Sequence, residues 1–420
     1  MIRFNNGRVL ENGCVTENEV WVNGSDITHV GPGKEEMPAF EREIDLRGNL
    51  LMPGFKNAHT HSAMTFLRSM ADDLPLQEWL FQQVFPREAK LNPKRVADFT
   101  KIAFLEYIAN GITSCFDMYF HTDEFARVAT EWGFRAVICD SLSAGNDWDD
   151  IYRNHEKYNH WSNVVSYVPG FHAEYTGSVD MMKHVAKAAR ELSAPVFAHN
   201  SETRSEVDGC IERHGLTPTK LMDELGLFEY GGGGFHCVHM TDEDIAIFKN
   251  RGLYAVLNPC SNAKLASGIA PLRRFMDESV NLAIGTDGPA SNNALDFFRE
   301  MYLANVLAKL SEEDAAAGNP AHILRAAVSG GARAMNLPDC DDIAPGKKAD
   351  MIVIDMKRPN MQPVHNVVKN LVYSGNPGNV KMTMIGGKVL YENGEFFVGE
   401  DIEKIYAEAQ RETELLLSEC

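Results

Sequence analysis

Three features of the sequence predict an α/β fold, a (β/α)8 barrel with a small β-sandwich built from both chain ends. Between residues 51 and 286, eight short apolar runs alternate with helical stretches rich in Ala, Leu and Glu. The two flanks instead carry residue alternation punctuated by Asn-Gly or Gly-Gly turns. Histidines and carboxylates recur where the apolar runs end, and barrel enzymes keep their chemistry at the C-terminal ends of strands.

At 420 residues the chain has room for one large domain and a smaller one, and 44% hydrophobic with 24% charged residues is the balance of a soluble globular protein. A formal net charge of -19 argues against a nucleic-acid surface, because phosphate binding needs a basic patch. The eight cysteines include no C-x-x-C pair, so neither a disulfide framework nor a zinc ribbon is expected, and a reducing compartment fits. The segment Met1–Gly7 has no signal-peptide core, and no run approaches membrane-spanning length. A cytoplasmic protein without a membrane partner is the expectation.

In chain order, residues 1–50 read as strands joined by turns at Asn6-Gly7, Asn12-Gly13 and Asn23-Gly24, with Glu19-Val20-Trp21-Val22 as a typical alternating segment. Residues 51–345 form the barrel. Its strands are expected at 51–58, 112–119, 134–140, 164–170, 195–199, 233–238, 253–257 and 281–286, with helices over 94–110, 122–132, 179–192, 216–225 and 241–250 among them. The competing fold, an open doubly wound sheet, calls for a Gly-rich phosphate loop after the first strand, and none is present. Residues 346–420 complete the sandwich: Met351–Asp355 is a strand, and Met384–Tyr391 reads as strand, Gly386-Gly387 turn, strand. Ile402, Ile405, Tyr406, Ala409, Leu415 and Leu416 give the last segment, about 400–418, the period of a helix packed on the outside.

His59 and His61 close the first strand, and residues two apart on a strand project to the same side. A His-X-His pair alone is as readily structural as metal-binding. His172 follows the fourth strand, His199 closes the fifth, His236 lies in the sixth and Asp287 closes the eighth. Each, taken singly, reads as a hydrogen-bonded core or surface residue; their joint occurrence at strand ends points to a metal site. Three imidazoles with one carboxylate, leaving a position for water, suit one hydrolytic divalent ion, with zinc the first choice and iron or manganese accepting the same donors. Such an ion lowers the pKa of its water and supplies hydroxide near neutrality. No lysine occurs in 164–172, which argues against a carbamylated-lysine bridge between two metals. Glu202, three residues beyond His199, is placed to protonate a ring nitrogen as general acid/base, with an N-terminal helix carboxylate as its plainer reading. Glu206 reads as solvated or helix-capping.

With these residues in place the chain resembles the amidohydrolase superfamily, and within it the methylthioadenosine/S-adenosylhomocysteine deaminases with their 5'-deoxyadenosine-deaminating relatives. The motifs run nearly end to end: Met52–His61, Phe85-Pro86-Arg87-Glu88-Ala89, Phe171–Thr176, His199-Asn200-Ser201-Glu202-Thr203, His236-Cys237-Val238-His239, Asn258–Pro271, Gly285-Thr286-Asp287-Gly288 and Ile343–Asp350. The resemblance implies that His59, His61, His199 and Asp287 bind the metal. It implies that Glu202 and Asp287 move protons, that His236 orients the hydroxide, and that His172 contacts the substrate. Glu88 would accept from the ribose hydroxyls, although without the resemblance it reads as a helix-surface charge. The implied reaction converts a 6-aminopurine nucleoside (methylthioadenosine, 5'-deoxyadenosine, adenosine or S-adenosylhomocysteine) to its 6-oxo form plus ammonia, in a homo-oligomer, dimer or tetramer. One departure stands out. The family carries arginines for the distal end of the substrate where this chain has Asp140 and a residue near Asp150, with Arg153 close by. An aspartate there would repel a homocysteine carboxylate, which favours a small 5'-substituent. The alternatives are a free-base (guanine, cytosine or pterin) deaminase or a triazine chlorohydrolase of the same superfamily, and, further off, a non-catalytic barrel.

Overall fold

The computed structural model describes residues 1–70 and 72–420. Eight parallel strands form the barrel. Phe55–Thr60, Ile112–Met118, Arg135–Cys139 and Val165–Val168 pair in that order, as do Val196–Asn200, Gly232–His236, Tyr254–Leu257 and Asn281–Ile284. The two halves meet at a parallel bridge between Gly170 and Phe197, and the Asp287 N–H donates to the His59 carbonyl at 3.0 Å to close the ring. Inside, Phe116, Val137, Phe197, Phe235 and Val256 form a packed plug rather than a pore. The helices cover the outside: Pro93–Ala109, Thr122–Trp132, Val179–Leu192, Pro218–Glu224 and Asp242–Arg251 fall on the expected stretches.

The expected first strand, 51–58, is two strands. Leu50–Pro53 belongs to the sandwich, antiparallel to Met351–Ile354 and parallel to Arg8–Glu11, and the barrel strand starts at Phe55. Gly54 between them lies against the next barrel strand, where an added Cβ would sit 2.1 Å from Thr113 Cγ2. Pro53-Gly54 marks a break in the run, but periodicity says nothing about which sheet a strand joins, so the change of partner is not legible.

The sandwich packs a four-stranded sheet (Asp26–Gly31, Glu19–Asn23, Ile2–Asn5, Arg42–Asp45) on a seven-stranded one that combines both chain ends. Phe4, Val20, Val22, Leu51, Met351, Val353, Met382 and Met384 fill the space between. The turns at Asn12-Gly13, Asn23-Gly24 and Gly386-Gly387 are hairpins. Asn6-Gly7 is not: Ile2–Asn5 and Arg8–Glu11 lie in different sheets, so this turn carries the chain across the sandwich. Arg135, the first residue of the third barrel strand, ties the barrel to the sandwich, its guanidinium donating to Asp350 at 2.6 and 3.1 Å. The last helix, Ile402–Ser418, buries Ile405, Ala409 and Leu416. It is tied to Pro93–Ala109 by Lys94–Glu412 at 3.0 Å and Arg95–Glu419 at 2.5 Å. Among the described residues, no helix is long and apolar enough to cross a membrane.

Candidate active site

At the C-terminal mouth of the barrel, His59, His61, His199 and Asp287 bring one donor atom each within 4.8 Å of one another. His59 Nε2 and His61 Nε2 lie 3.5 and 3.2 Å from Asp287 Oδ1. Backbone carbonyls can only accept, so His61 Nδ1 donates to Met118 O (2.6 Å) and His199 Nδ1 to His172 O (2.7 Å). Nε2 is therefore the atom that both rings turn inward. His59 is fully buried, stacked on Phe235 at 3.9 Å between ring centroids, and neither of its ring nitrogens has a protein partner. Buried polar atoms are ordinarily satisfied, so this ring asks for an electrophile.

Burial pushes the pKa of His59 down to about 3 and that of His199 well below its ordinary value, which keeps both imidazoles neutral. Asp287 goes the other way. Burial opposes its charge, but the His59 and His61 rings, whose Nε2 atoms approach Oδ1, hold it well below the carboxylate range. Burial also opposes a charge on His61, yet its bond to Asp287 lifts it to about 9, so a proton balances the carboxylate. A divalent ion would take that proton's place, and the donor set fits one.

The surrounding groups are held by specific contacts. The left-handed backbone at His236 (φ 71°) breaks the strand alternation, so Phe235 faces the plug while the His236 ring stands 5.6 Å from that of His59. Asn262 Oδ1 accepts from His236 Nδ1 at 2.7 Å. Asp287 is left-handed too (φ 58°), and its Oδ2 accepts from Ser261 and Ser291 hydroxyls at 2.6 and 2.8 Å. Gly285 lets the eighth strand approach the first, since a Cβ there would lie 2.7 Å from the His59 backbone nitrogen. The buried Glu202 accepts from Ser267 Oγ at 3.2 Å and lies 3.8 Å from His236 Nε2; burial raises its pKa.

A cavity opens over this cluster. Glu202, His236, His172, Glu88 and Asp287 all line it, together with an apolar wall of Leu76, Trp79, Leu80, Val84 and Phe85. Burial lowers His172 to about 4, and its Nδ1 meets Thr176 Oγ1 at 3.0 Å. Glu88 is half-buried, and desolvation raises its pKa against the pull of Tyr119 and His61. Tyr119 is buried in the same wall, close to Glu88 but without a hydrogen bond of good geometry. The sequence reading missed Tyr119, Trp79 and the serine pair on Asp287. Of these only Ser261 lay in a quoted motif.

Two expectations change. Glu206 is buried rather than solvated, and its carboxylate accepts from the Ser201 and Glu202 N–H groups at 2.9 and 2.7 Å, which fixes the turn that presents Glu202. Arg153 stays outside the cavity, exposed and paired with Asp147 (2.6 Å) and Asp150 (2.5 Å). Asp140 is buried behind the wall, bonded to the Tyr167 hydroxyl and to Asn154 Nδ2 at 2.8 Å; its neighbour Ser141 is the residue that lines the cavity. Among the described residues, neither lysine nor arginine does so.

Residues 50–390 match the amidohydrolase family. The chain is 36% identical over 407 residues to a 5-methylthioadenosine/S-adenosylhomocysteine deaminase of Thermoanaerobacter pseudethanolicus, covering 95% of this chain and 94% of the relative. It is 38% identical over 400 residues to a Moorella thermoacetica protein of the same name, covering 93% of each. A solved adenosine deaminase from Xanthomonas campestris with bound zinc superposes with a TM-score of 0.94 at 34% identity, over 99% of this chain and 98% of that one. An Arthrobacter aurescens atrazine chlorohydrolase superposes at 0.91 with 20% identity, over 98% of this chain and 100% of the other, a likeness of fold alone.

Proposed function

The chain belongs to the amidohydrolase family, and from that premise we propose that it hydrolyses the 6-amino group of an adenosine-type nucleoside, releasing ammonia. The observation that carries this reading is one cavity holding a donor set of three histidines and an aspartate, a buried acid at Glu202 and a diol acceptor at Glu88. The curated relatives named for methylthioadenosine and S-adenosylhomocysteine support the nucleoside class.

His59, His61, His199 and Asp287 would hold one ion, and zinc, which the Xanthomonas relative binds, is the proposed one. Bound there, it supplies hydroxide near neutral pH and polarises what it touches. An amide oxygen only accepts, so His236 carries its proton on Nδ1, towards Asn262, and offers the Nε2 lone pair to orient the nucleophilic water. Glu202, whose pKa burial raises, donates to ring nitrogen N1 as C6 becomes tetrahedral and takes a proton back as the C6 hydroxyl becomes the oxo group. Asp287, whose Oδ2 is held by two serine hydroxyls, takes the proton of the water on Oδ1 and passes it to the departing amine. Glu88 accepts from both ribose hydroxyls, and His172 contacts the base. With no cation among the described residues of the wall to pair a carboxylate, the proposed substrates end in an uncharged 5'-group: methylthio, hydrogen or hydroxyl.

Metal-replete protein incubated with 5'-methylthioadenosine, 5'-deoxyadenosine, adenosine and S-adenosylhomocysteine, with loss of the adenine absorbance followed, tests this. Turnover of the first three with higher kcat/KM than of the last is expected. No turnover of any of them rejects the nucleoside reading.

A further inference from the structure

We propose that Glu300, which does not line the cavity, is a positioning residue for Asp287 and His236, acting through two segments that it ties together. The proposal rests on the deaminase reading above for its kinetic consequence, though not for its geometry. Glu300 sits in the first turn of the helix Phe297–Ser311 and is fully buried. Its Oε2 accepts from the Cys260 N–H at 3.0 Å and its Oε1 from Asn292 Nδ2 at 2.6 Å. Those two donors belong to different segments.

Cys260 lies in the short helix Pro259–Lys264 that follows the seventh barrel strand. The next two residues are Ser261, which donates to Asp287 Oδ2 at 2.6 Å, and Asn262, which accepts from His236 at 2.7 Å. Asn292 lies on the loop after the eighth strand, and its Nδ2 also donates to the Thr286 carbonyl at 2.7 Å, beside Asp287. The residue before it, Ser291, holds Asp287 Oδ2 at 2.8 Å. One carboxylate therefore sets the spacing between the two segments that aim Asp287 and His236.

The chemistry of the group supports this role. Among the described residues no lysine or arginine pairs with Glu300, and a buried carboxylate without a cation is costly. A glutamine is nearly the same shape but offers one acceptor and one donor, so it would set its own N–H against Cys260 or Asn292. Burial raises its pKa to about 8, and a carboxyl group keeps an oxygen towards each of the two donors where an amide nitrogen cannot accept.

The test compares wild type, Glu300→Gln, Ser261→Ala and the double variant by three readouts: zinc Kd by chelator competition, kcat and KM on the nucleoside that wild type prefers, and Tm. For Glu300→Gln, zinc affinity and kcat are each expected to fall about 10-fold, the size of loss that follows removal of a group supporting a metal ligand. KM should move less than about threefold, since the substrate wall is untouched. The double variant should be no worse than the poorer single one, because both act on the same aspartate. Wild-type kcat and zinc Kd with only a lowered Tm would reduce Glu300 to a structural part, and losses that multiply in the double variant would also overturn the proposal. Should Glu300→Gln fail to fold, Asn292→Ala cuts the same tie from the other segment and is judged by the same readouts. If wild type shows no turnover, the deaminase reading fails on its own, and zinc Kd still decides the clamp.

Discussion

Removing the Glu88 carboxylate offers the sharpest separation between a nucleoside enzyme and a free-base enzyme on this scaffold. Glu88 lines the cavity, half-buried, and among the described residues it has no lysine or arginine beside it in that wall. Its acceptor capacity is therefore available to a ligand. A hydrogen bond to a charged group contributes about 1.5–3 kcal/mol net, and a vicinal diol makes two. Because water still reaches this site, the lower figure is the right one for each bond, which gives about 3 kcal/mol for Glu88→Ala. At about 1.4 kcal/mol per decade this is roughly a 150-fold loss of kcat/KM. Glu88→Gln keeps one acceptor and should lose about tenfold. The loss should fall mainly on KM, since the ribose is held alike before and during the reaction. Initial rates from the fall in adenine absorbance, on a ribonucleoside and on its 2',3'-dideoxy analogue, give the answer. The analogue should be as poor for wild type as for Glu88→Ala. A ribonucleoside kcat/KM within about threefold of wild type in Glu88→Ala would refute the diol assignment and move the substrate towards a free base.

Replacing Glu202 by glutamine should lower kcat by about 10²–10⁴, the usual contribution of a positioned general acid, while elemental analysis finds zinc unchanged. Normal turnover would reassign the N1 proton. Removing the metal by chelation should abolish activity. Adding zinc to about 100 times its Kd should then raise the unfolding free energy by about 2.7 kcal/mol, read from the denaturant midpoint, and no shift would reject the site. The Glu206 carboxyl, raised by burial to about 7 from an ordinary value of 4.5, keeps its proton in the folded state where the unfolded chain has lost it. Its contribution is therefore fully present below about pH 4.5 and is lost as pH rises through about 7. Glu206→Gln should flatten the decline of Tm across that window, and an unchanged slope would remove Glu206 from the account.

Much of the fold was legible because its signals are local. Alternating turns and apolar runs marked both the sandwich and the eight barrel strands, and helices such as Thr122–Trp132 follow from their own amphipathic period. The misreadings came where a local pattern admits two partners. Asn6-Gly7 has the chemistry of a hairpin turn yet joins two sheets, and Leu50–Pro53 is followed after Gly54 alone by Phe55–Thr60 although the two strands pair in different sheets. Glu206 looks like an ordinary helix-start carboxylate; the fold buries it beneath the turn that carries Glu202.

The sequence by itself determined the chemical kit: imidazoles and carboxylates at strand ends, an acid after the fifth strand, and a chain too acidic for nucleic acid. Those properties depend on residue type and on spacings of a few residues. Which members of the kit converge was decided only by closure of the barrel, because residues 59 and 287 meet through a backbone bond between the first strand and the segment leaving the eighth. The same is true of the supports. Ser261 and Ser291 on Asp287, Asn262 on His236 and Glu300 behind both come from segments whose distance depends on how the whole ring packs. No spacing along the chain encodes that distance. The cation-free wall is of this kind as well: Arg153 sits close in sequence to where an arginine was expected, and helix packing turns it outward to Asp147 and Asp150.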